Sequence, residues 1–288
     1  MTYYLLIILS VVMFGGCFAL NDVYRAMRGD TVKISIQFSF ISSLAALFVL
    51  LAINGFKLEF TLFTLIMALA ASLVGFGFTF CGFKALGIIN LSLYSLFSML
   101  GGMLLPFLQG IIFYGEKMTV AKVVCLVLIT VALFLTVEKG EKTKGFIYYI
   151  GIFTLNGMSG VLSKIFTEAP YKKTSAAGYS VLMALCTVVI SAFLLLLFFR
   201  AKKGEDKMSL SSVGVASLNG IINKVANFIL VIALLRVDAS VQYPMVTGGV
   251  MIVSTLICFF GKNKPSKKEV LSVAIAFIGM LALFVIPI

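Results

Sequence analysis

The chain has 288 residues, of which 61% are hydrophobic and 12% are charged, and its formal net charge is +12. A soluble domain carries about 25% charged residues, so a water-soluble fold is excluded and the expected solvent is a lipid bilayer. The lysines and arginines stand in short polar gaps without an interleaved aromatic platform, which excludes a nucleic-acid-binding surface. We therefore expect a multi-pass protein of the cell membrane, that is, an inner or plasma membrane.

Ten apolar runs, five on each side of the charged gap Glu138–Lys144, are candidates for membrane spans, because a bilayer core needs roughly 20 apolar residues per helix. The runs are Tyr3–Leu20, Ile34–Ile53, Thr61–Phe83, Leu91–Tyr114, Val120–Val137, Phe146–Ser163, Ala176–Phe199, Leu210–Leu235, Ala239–Phe260 and Val270–Ile288. The sequence thus predicts an all-α membrane protein with ten transmembrane helices.

A segment of the first half recurs in the second half. Residues 99–103 (MLGGM) are matched by residues 246–250 (VTGGV), and residues 113–117 (FYGEK) by residues 259–262 (FFGK), about half a chain later. Because each half has an odd number of spans, the second half must enter the membrane in the opposite orientation. We therefore predict two inverted five-helix repeats, residues 1–140 and 141–288, with a site near the midplane where they meet.

The distribution of basic residues predicts an orientation. The gaps on the side opposite to the chain termini hold about twice as many lysines and arginines as the gaps on the side of the termini. Because basic loops stay in the cytoplasm, this distribution favours external termini.

The eighth span is the most polar. Asn219, Asn223 and Asn227 recur every four residues and therefore share one stripe of the helix, with Lys224 at its edge. Lys224 lies on the order of 15 Å from either end of the span, a depth at which an ionisable group is expected to face a wet cavity or a partner. In a cavity wall, the amides would supply donors and acceptors and the ammonium would attract a carboxylate. The alternative is that the asparagines join helices across the bundle.

Polar residues in three other spans complete the candidate site. Tyr94 and Ser98 share a face of the fourth span, Tyr243 and Thr247 precede the glycine pair of the ninth span, and Asn156 lies in the sixth span. The neighbouring glycines either open a cavity or permit close helix packing. The predicted substrate-binding residues are Lys224, Asn223, Asn227, Asn219, Tyr94, Ser98, Tyr243, Thr247 and Asn156.

The acidic residues all fall at span ends or in gaps, so the sequence offers no mid-membrane carboxylate for a proton relay or for an organic cation. This favours a facilitator or an exchanger. The chain has no histidine, and its five cysteines are scattered without a CxxC spacing. Because no nucleophile–base pair, metal set or phosphate loop is present, we predict no enzyme activity, no cofactor and no metal.

Ten short spans in two halves, with Pro106 in the fourth span and the sequence FYGEK before the fifth, resemble the drug/metabolite transporter superfamily, and within it the EamA-like ten-helix group. In the second half, Gly261-Lys262 replaces the Gly115-Glu116 pair. The resemblance implies alternating access, a central cavity formed by the first four helices of each half, and peripheral fifth helices that often form a homodimer contact. It also implies cytoplasmic termini, in conflict with the distribution of basic residues.

These observations predict a secondary transporter that moves a small-molecule substrate, a small polar or zwitterionic, amino-acid-like metabolite, by alternating access. One alternative is the efflux of hydrophobic drugs or organic cations. A second alternative is a non-transporting membrane subunit or lipid-handling scaffold, in which the polar stripe holds an assembly together.

Overall fold

Ten α-helices form the fold of the part of the chain that the computed structural model describes, which is residues 2–88, 91–136, 146–198, 208–260 and 265–286. Within these ranges there is no β-strand. The helices are α1 (Thr2–Arg28), α2 (Val32–Ile53), α3 (Leu62–Leu86), α4 (Leu91–Tyr114), α5 (Val120–Thr136), α6 (Phe146–Glu168), α7 (Ala176–Phe198), α8 (Leu210–Leu234), α9 (Ala239–Phe260) and α10 (Lys267–Val285).

Each predicted span corresponds to one helix, and α1 differs most from its prediction. It continues past Leu20 to Arg28, because its last turns are polar and carry a salt bridge between Asp22 and Arg25 at 3.1 Å. The boundary predicted between residues 140 and 141 lies outside the described residues, as do the gap Glu138–Lys144 and the pair Gly261-Lys262.

The chain is a multi-pass membrane protein. Among the described residues, seven helices are long and apolar enough to cross a bilayer. They are α1, α2, α3, α7 over Ala176–Leu197, α8, α9, and the segment Phe97–Tyr114 of α4. α5 and α10 contain shorter apolar segments, Val120–Ala132 and Val270–Gly279, and α6, which contains Asn156 and Lys164, is not among the seven.

Eight of the helices close into a ring in the order α1, α9, α4, α6, α3, α7, α2, α8 and back to α1. α5 and α10 pack against each other outside this ring and contact it through α4 and α9. The two halves of the chain contribute equivalent helices to this ring. If α1 is exchanged with α6, α2 with α7, α3 with α8 and α4 with α9, the same eight neighbouring pairs result. The pair of α1 with α8, for example, becomes the pair of α6 with α3.

Contacts between helices fix their directions. Ser10 Oγ donates to Ala226 O, and Asn219 Nδ2 donates to the carbonyl of Cys17, so α1 and α8 are antiparallel. Successive helices alternate in direction, and their connections therefore lie at two opposite faces. We call the face at which α1 begins face A. It also contains the connections 54–61, 115–119, 169–175 and 235–238. The face with the end of α1 is face B.

Two glycines bring helix backbones into close contact. A Cβ atom at Gly101 of α4 would overlap the backbone of Phe153 in α6, and one at Gly220 of α8 would overlap the backbone of Ser42 in α2. Small residues permit this approach in membrane helices, where the packing of backbones against each other drives association. The close-packing role is therefore the one that the structure gives to Gly101.

We expect Gly101→Ala to lower the free energy of unfolding by about 1–3 kcal/mol, the usual cost of forcing an extra methyl group into a packed site. Gly16→Ala is the matched control, because a Cβ atom at this helical glycine would meet no atom within 4 Å. The unfolding of detergent-solubilised protein is followed with a thiol-reactive dye, which reports exposure of the buried cysteines of α1, α5, α7 and α9. Equal stability of the two variants would contradict the prediction.

Candidate functional site

A cavity of about 190 Å³ lies inside the ring. Its wall contains residues from all eight ring helices and, among the described residues, none from α5 or α10. It occupies the middle of the ring and the half nearer face B, where it reaches Asn21 near the end of α1 and Phe83 near the end of α3. Towards face A it ends at Leu230 and Tyr243.

Lys224 lies halfway along α8, and its half-buried side chain forms part of the cavity wall. Within the described ranges, its ammonium has no hydrogen-bond or salt-bridge partner. The described wall also contains no carboxylate and no second basic side chain. The wall therefore carries a single positive charge at a depth where a charged side chain is costly unless a partner or water stabilises it.

Two of the wall asparagines use their amide nitrogens to join helices. Asn156 Nδ2 of α6 donates to the carbonyl of Ser98 in α4 at 2.7 Å, and Asn219 Nδ2 of α8 donates to the carbonyl of Cys17 in α1 at 2.8 Å. These bonds agree with the alternative interpretation of the asparagines as contacts across the bundle. The same residues also line the cavity, so the two roles coexist.

Asn227 continues the polar stripe without joining another helix. Its Nδ2 donates to the carbonyl of Asn223 at 2.8 Å and to Asn223 Oδ1 at 3.1 Å. A carbonyl oxygen can only accept, so the bonded nitrogen must face it and Oδ1 must point elsewhere. The same argument holds for Asn156. In the described part of the chain, no hydrogen bond occupies Oδ1 of either residue, and both remain acceptors in the cavity wall.

Aromatic rings form the wall on the side of α1, α3 and α4. The ring of Tyr94 meets Phe18 edge-on, with centroids 5.1 Å apart, and lies 6.3 Å from the ring of Phe78. Phe14 and Phe76 also line this side. The cavity wall therefore combines apolar aromatic rings with a polar stripe that carries one ammonium, a combination that suits a small amphipathic solute.

Eight of the nine predicted substrate-binding residues line the cavity, and Ser98 does not. The side chain of Ser98 is wholly buried, while its carbonyl accepts the bond from Asn156. Two of the eight use their hydroxyls between helices: Tyr243 donates to Gly160 O at 2.9 Å and Thr247 donates to Met99 O at 3.0 Å.

The hydroxyl-bearing part of the wall was not among the predicted site residues. Ser39, Ser42 and Ser43 of α2 and Ser72 and Thr187 of α3 and α7 line the cavity. The serines of α2 recur at intervals of three or four residues, a spacing that marks one helix face. That signal was available, but single serines are common in apolar helices because they bond to their own backbone, as Ser72 does with Ala68.

A buried carboxylate joins three segments between the cavity and face A. Glu116, just after α4, accepts hydrogen bonds from the backbone N–H groups of Ala239 (3.2 Å) and Ser240 (2.9 Å) at the start of α9. Its Oε1 also lies 2.9 Å from Lys164 Nζ of α6. The two side chains are 7% and 5% exposed. A carboxylate is favourable at a helix N-terminus, so this contact holds the face A ends of α4, α6 and α9 together.

A second carboxylate ties another part of face A. Glu59, between α2 and α3, accepts from the backbone N–H of Ser175 at 2.7 Å and from its hydroxyl at 2.6 Å, just before α7 begins. These hydrogen bonds hold the pKa of Glu59 below its ordinary value. Glu59 and Glu116 thus link helix ends at face A, whereas the cavity extends towards face B.

Glu116 is ionised in the folded protein at neutral pH. Burial alone raises its pKa, but the hydrogen bonds from Ser240 and Lys164 and the charge of Lys164 outweigh burial and leave the pKa below its ordinary value. A lowered pKa in the folded state means that the carboxylate stabilises the fold above the pKa of the unfolded chain. That stabilisation is lost as the pH falls through the folded-state pKa.

We expect Glu116→Gln to lower the free energy of unfolding by about 3 kcal/mol at pH 7, because it leaves the buried ammonium of Lys164 with one half-exposed partner, Glu168. The difference from wild type should shrink below about pH 4.5, where the unfolded carboxylate also takes up a proton. Thermal loss of the monodisperse size-exclusion peak, measured at pH 7 and in acid, gives both values. Glu168→Gln is the control, with an expected cost of less than about 1 kcal/mol, and a cost equal to that of Glu116→Gln would refute the assignment.

Comparisons with known proteins show the fold alone. No family model matches the chain, and no curated protein sequence matches it. One of 28 matching chains of solved structures, described as "Crystal structure of protein", superposes with a TM-score of 0.68 at 17% sequence identity. The match covers 98% of this chain and 96% of that chain, so the two share their architecture over nearly the whole length.

Proposed function

We propose that this protein is a secondary transporter that moves a small polar or zwitterionic metabolite, amino-acid-like in size, across the membrane by alternating access. The observation that carries the proposal is the ammonium of Lys224, which lies in the wall of a central cavity and has no partner among the residues that the structure describes. An isolated charge inside a membrane protein is costly, and such charges mark solute pathways. A solute with a carboxylate would supply the missing partner.

The size and lining of the cavity fit such a solute. A volume of about 190 Å³ is slightly larger than that of an apolar cavity of about 150 Å³ that binds benzene. Lys224 would bind the carboxylate, Oδ1 of Asn156 and Asn227 would accept from the polar groups, and the rings of Phe18 and Tyr94 would contact the apolar part.

The helix contacts support two inverted repeats of five helices, and with them ten spans and membership of the drug/metabolite transporter superfamily. The ring keeps its pairs when helices five positions apart are exchanged. Residue contacts follow the same exchange, since Gly102 of α4 faces Asn156 of α6 and Gly249 of α9 faces Val11 of α1. In the same way, Gly160 of α6 faces Pro106 of α4, and Gly15 of α1 faces Val253 of α9.

Alternating access would require the cavity to close at face B and open at face A. The contacts of Glu116 with α9 and α6, and of Glu59 with Ser175, would have to break in that step. These contacts hold separate helices by a few hydrogen bonds near face A. Rocking of the two halves about the cavity would expose these groups to water, which would replace the broken hydrogen bonds.

The two rival functions differ in what the cavity wall should do. Efflux of organic cations is disfavoured by the positive charge of Lys224, and efflux of uncharged hydrophobic drugs would leave this ammonium unpaired. A non-transporting scaffold is favoured by the bonds that Asn156 and Asn219 make between helices. A scaffold has no use for an open cavity, however, and this difference can be tested.

We expect proteoliposomes with the wild-type protein to take up at least one carboxylate-bearing solute from a labelled panel of amino acids, organic anions and organic cations. Lys224→Ala should lower the initial rate about 10- to 100-fold, the value of one charge-assisted hydrogen bond. Lys57→Ala, at an exposed connection of face A, is the matched control and should keep the wild-type rate. Uptake that is unchanged in Lys224→Ala would assign Lys224 a structural role.

Gly75→Leu tests whether the cavity itself is the pathway. Gly75 lines the cavity, and a Cβ atom there would meet no atom within 4 Å, so a side chain at this position would begin in open space of the cavity. We expect uptake to fall at least about tenfold, with stability unchanged or raised because leucine favours the helix more than glycine does. The control is Gly214→Leu, in equally open space on α8 outside the cavity wall. Full uptake in Gly75→Leu would exclude this route.

A further inference from the structure

The charges of the cavity wall do not balance. Lys224 contributes one positive charge, and the described residues of the wall include no carboxylate. The other titratable side chains of this wall are the phenols of Tyr94 and Tyr243, and Tyr243 already donates its proton to Gly160 O. The wall of the solute-free cavity is therefore cationic.

The acidic residues nearest to the ends of the ring helices are engaged elsewhere. Asp22 pairs with Arg25 at 3.1 Å, Asp30 with Lys84 at 3.4 Å, and Glu116 with Lys164 at 2.9 Å. Each of these carboxylates lies at or near face A or face B and is held by a partner on its own helix or on a neighbouring segment. None of them can reach Lys224 without breaking a pair that the fold uses.

The remaining polar groups of the wall, its amides and hydroxyls, carry no charge. The amide nitrogens of Asn156 and Asn227 are bonded to backbone carbonyls, so their Oδ1 atoms are the groups offered to a solute. An amide oxygen accepts from a hydroxyl or an amide N–H as well as from an ammonium. It does not, however, compensate the charge of an ammonium, which needs an anionic partner when it is buried.

Given the proposed transport function, we infer that the solute carries a net charge of −1: a carboxylate monoanion whose other polar groups are neutral hydrogen-bond donors, as in a hydroxy acid. Its complex with Lys224 is neutral and can be enclosed between the two halves. A zwitterion would leave its own ammonium uncompensated in the closed state. Enclosing one uncompensated ammonium at the centre of a bilayer lowers the population of the closed, loaded state by a factor on the order of 100, and bound water reduces this factor.

The test compares pairs of solutes in which a hydroxy acid has a hydroxyl group at the position where the matching amino acid has its ammonium. Initial uptake rates of 3-phenyllactate and phenylalanine, and of lactate and alanine, are measured in proteoliposomes with the wild-type protein at pH 7. We expect the hydroxy acid of at least one pair to be taken up about 10-fold faster or more than its amino acid. Equal or faster uptake of the amino acid in both pairs would overturn the inference and leave the transport function standing. No uptake of any of the four solutes, together with none from the wider panel, would overturn both.

A charge substitution in the wall provides a second test. Asn227→Asp adds one negative charge one helical turn from Lys224. The wall then has no net charge, so the solute that leaves the closed cavity neutral is the zwitterion. We expect the ratio of 3-phenyllactate uptake to phenylalanine uptake to fall about 10-fold or more in this variant. Asn227→Leu removes the same amide without adding a charge and should leave the ratio at its wild-type value. A ratio that stays constant in both variants, or falls equally in both, would show that charge balance does not set the preference.

Discussion

A polar side chain inside a bilayer has only other protein groups and enclosed water as partners, and this constraint governs the assembly of the helices. Several polar groups of the ring meet it by bonding to a carbonyl of a neighbouring helix, as Asn219 does with Cys17, Ser72 with Met183 and Thr247 with Met99. These bonds set the register of one helix against the next while the glycines set their separation. Lys224 differs because its charge cannot be satisfied by a single carbonyl.

The two halves share a helix arrangement but differ in chemistry. Ser10 of α1 contacts Ala226 of α8, and Leu155 of α6 contacts Gly77 of α3, so in the proposed repeat Lys224 corresponds to Gly75. The second half contributes Lys224 and most of the wall asparagines, and the first half contributes most of the aromatic rings. A ring with the same helix pairs in both halves can therefore enclose a cavity whose two sides differ in chemistry.

The helices and the polar stripe of α8 that lines the cavity could be predicted from the sequence, because hydropathy locates membrane helices and a polar residue within a span has few alternatives to a cavity or a helix contact. Ser98 could not be assigned, because its position on the same stripe as Tyr94 does not reveal whether α6 or the cavity covers that part of the stripe. The partners of Glu116 could not be assigned either. Its partners in α6 and α9 are distant in sequence, and a carboxylate at a helix end looks the same whether it is solvated or buried.

The position of Lys224 also has a consequence for energetics across a polarised membrane. In a carrier whose halves alternate about this residue, the unloaded wall moves part of one elementary charge through the field, which amounts to about 2.3 kcal/mol per 100 mV for a full crossing. A bound monoanion cancels that charge. The membrane voltage would then change the rate at which the empty carrier returns, but not the rate at which the loaded carrier moves. The resting potential of the cell would therefore set the ratio between solute exchange and net transport.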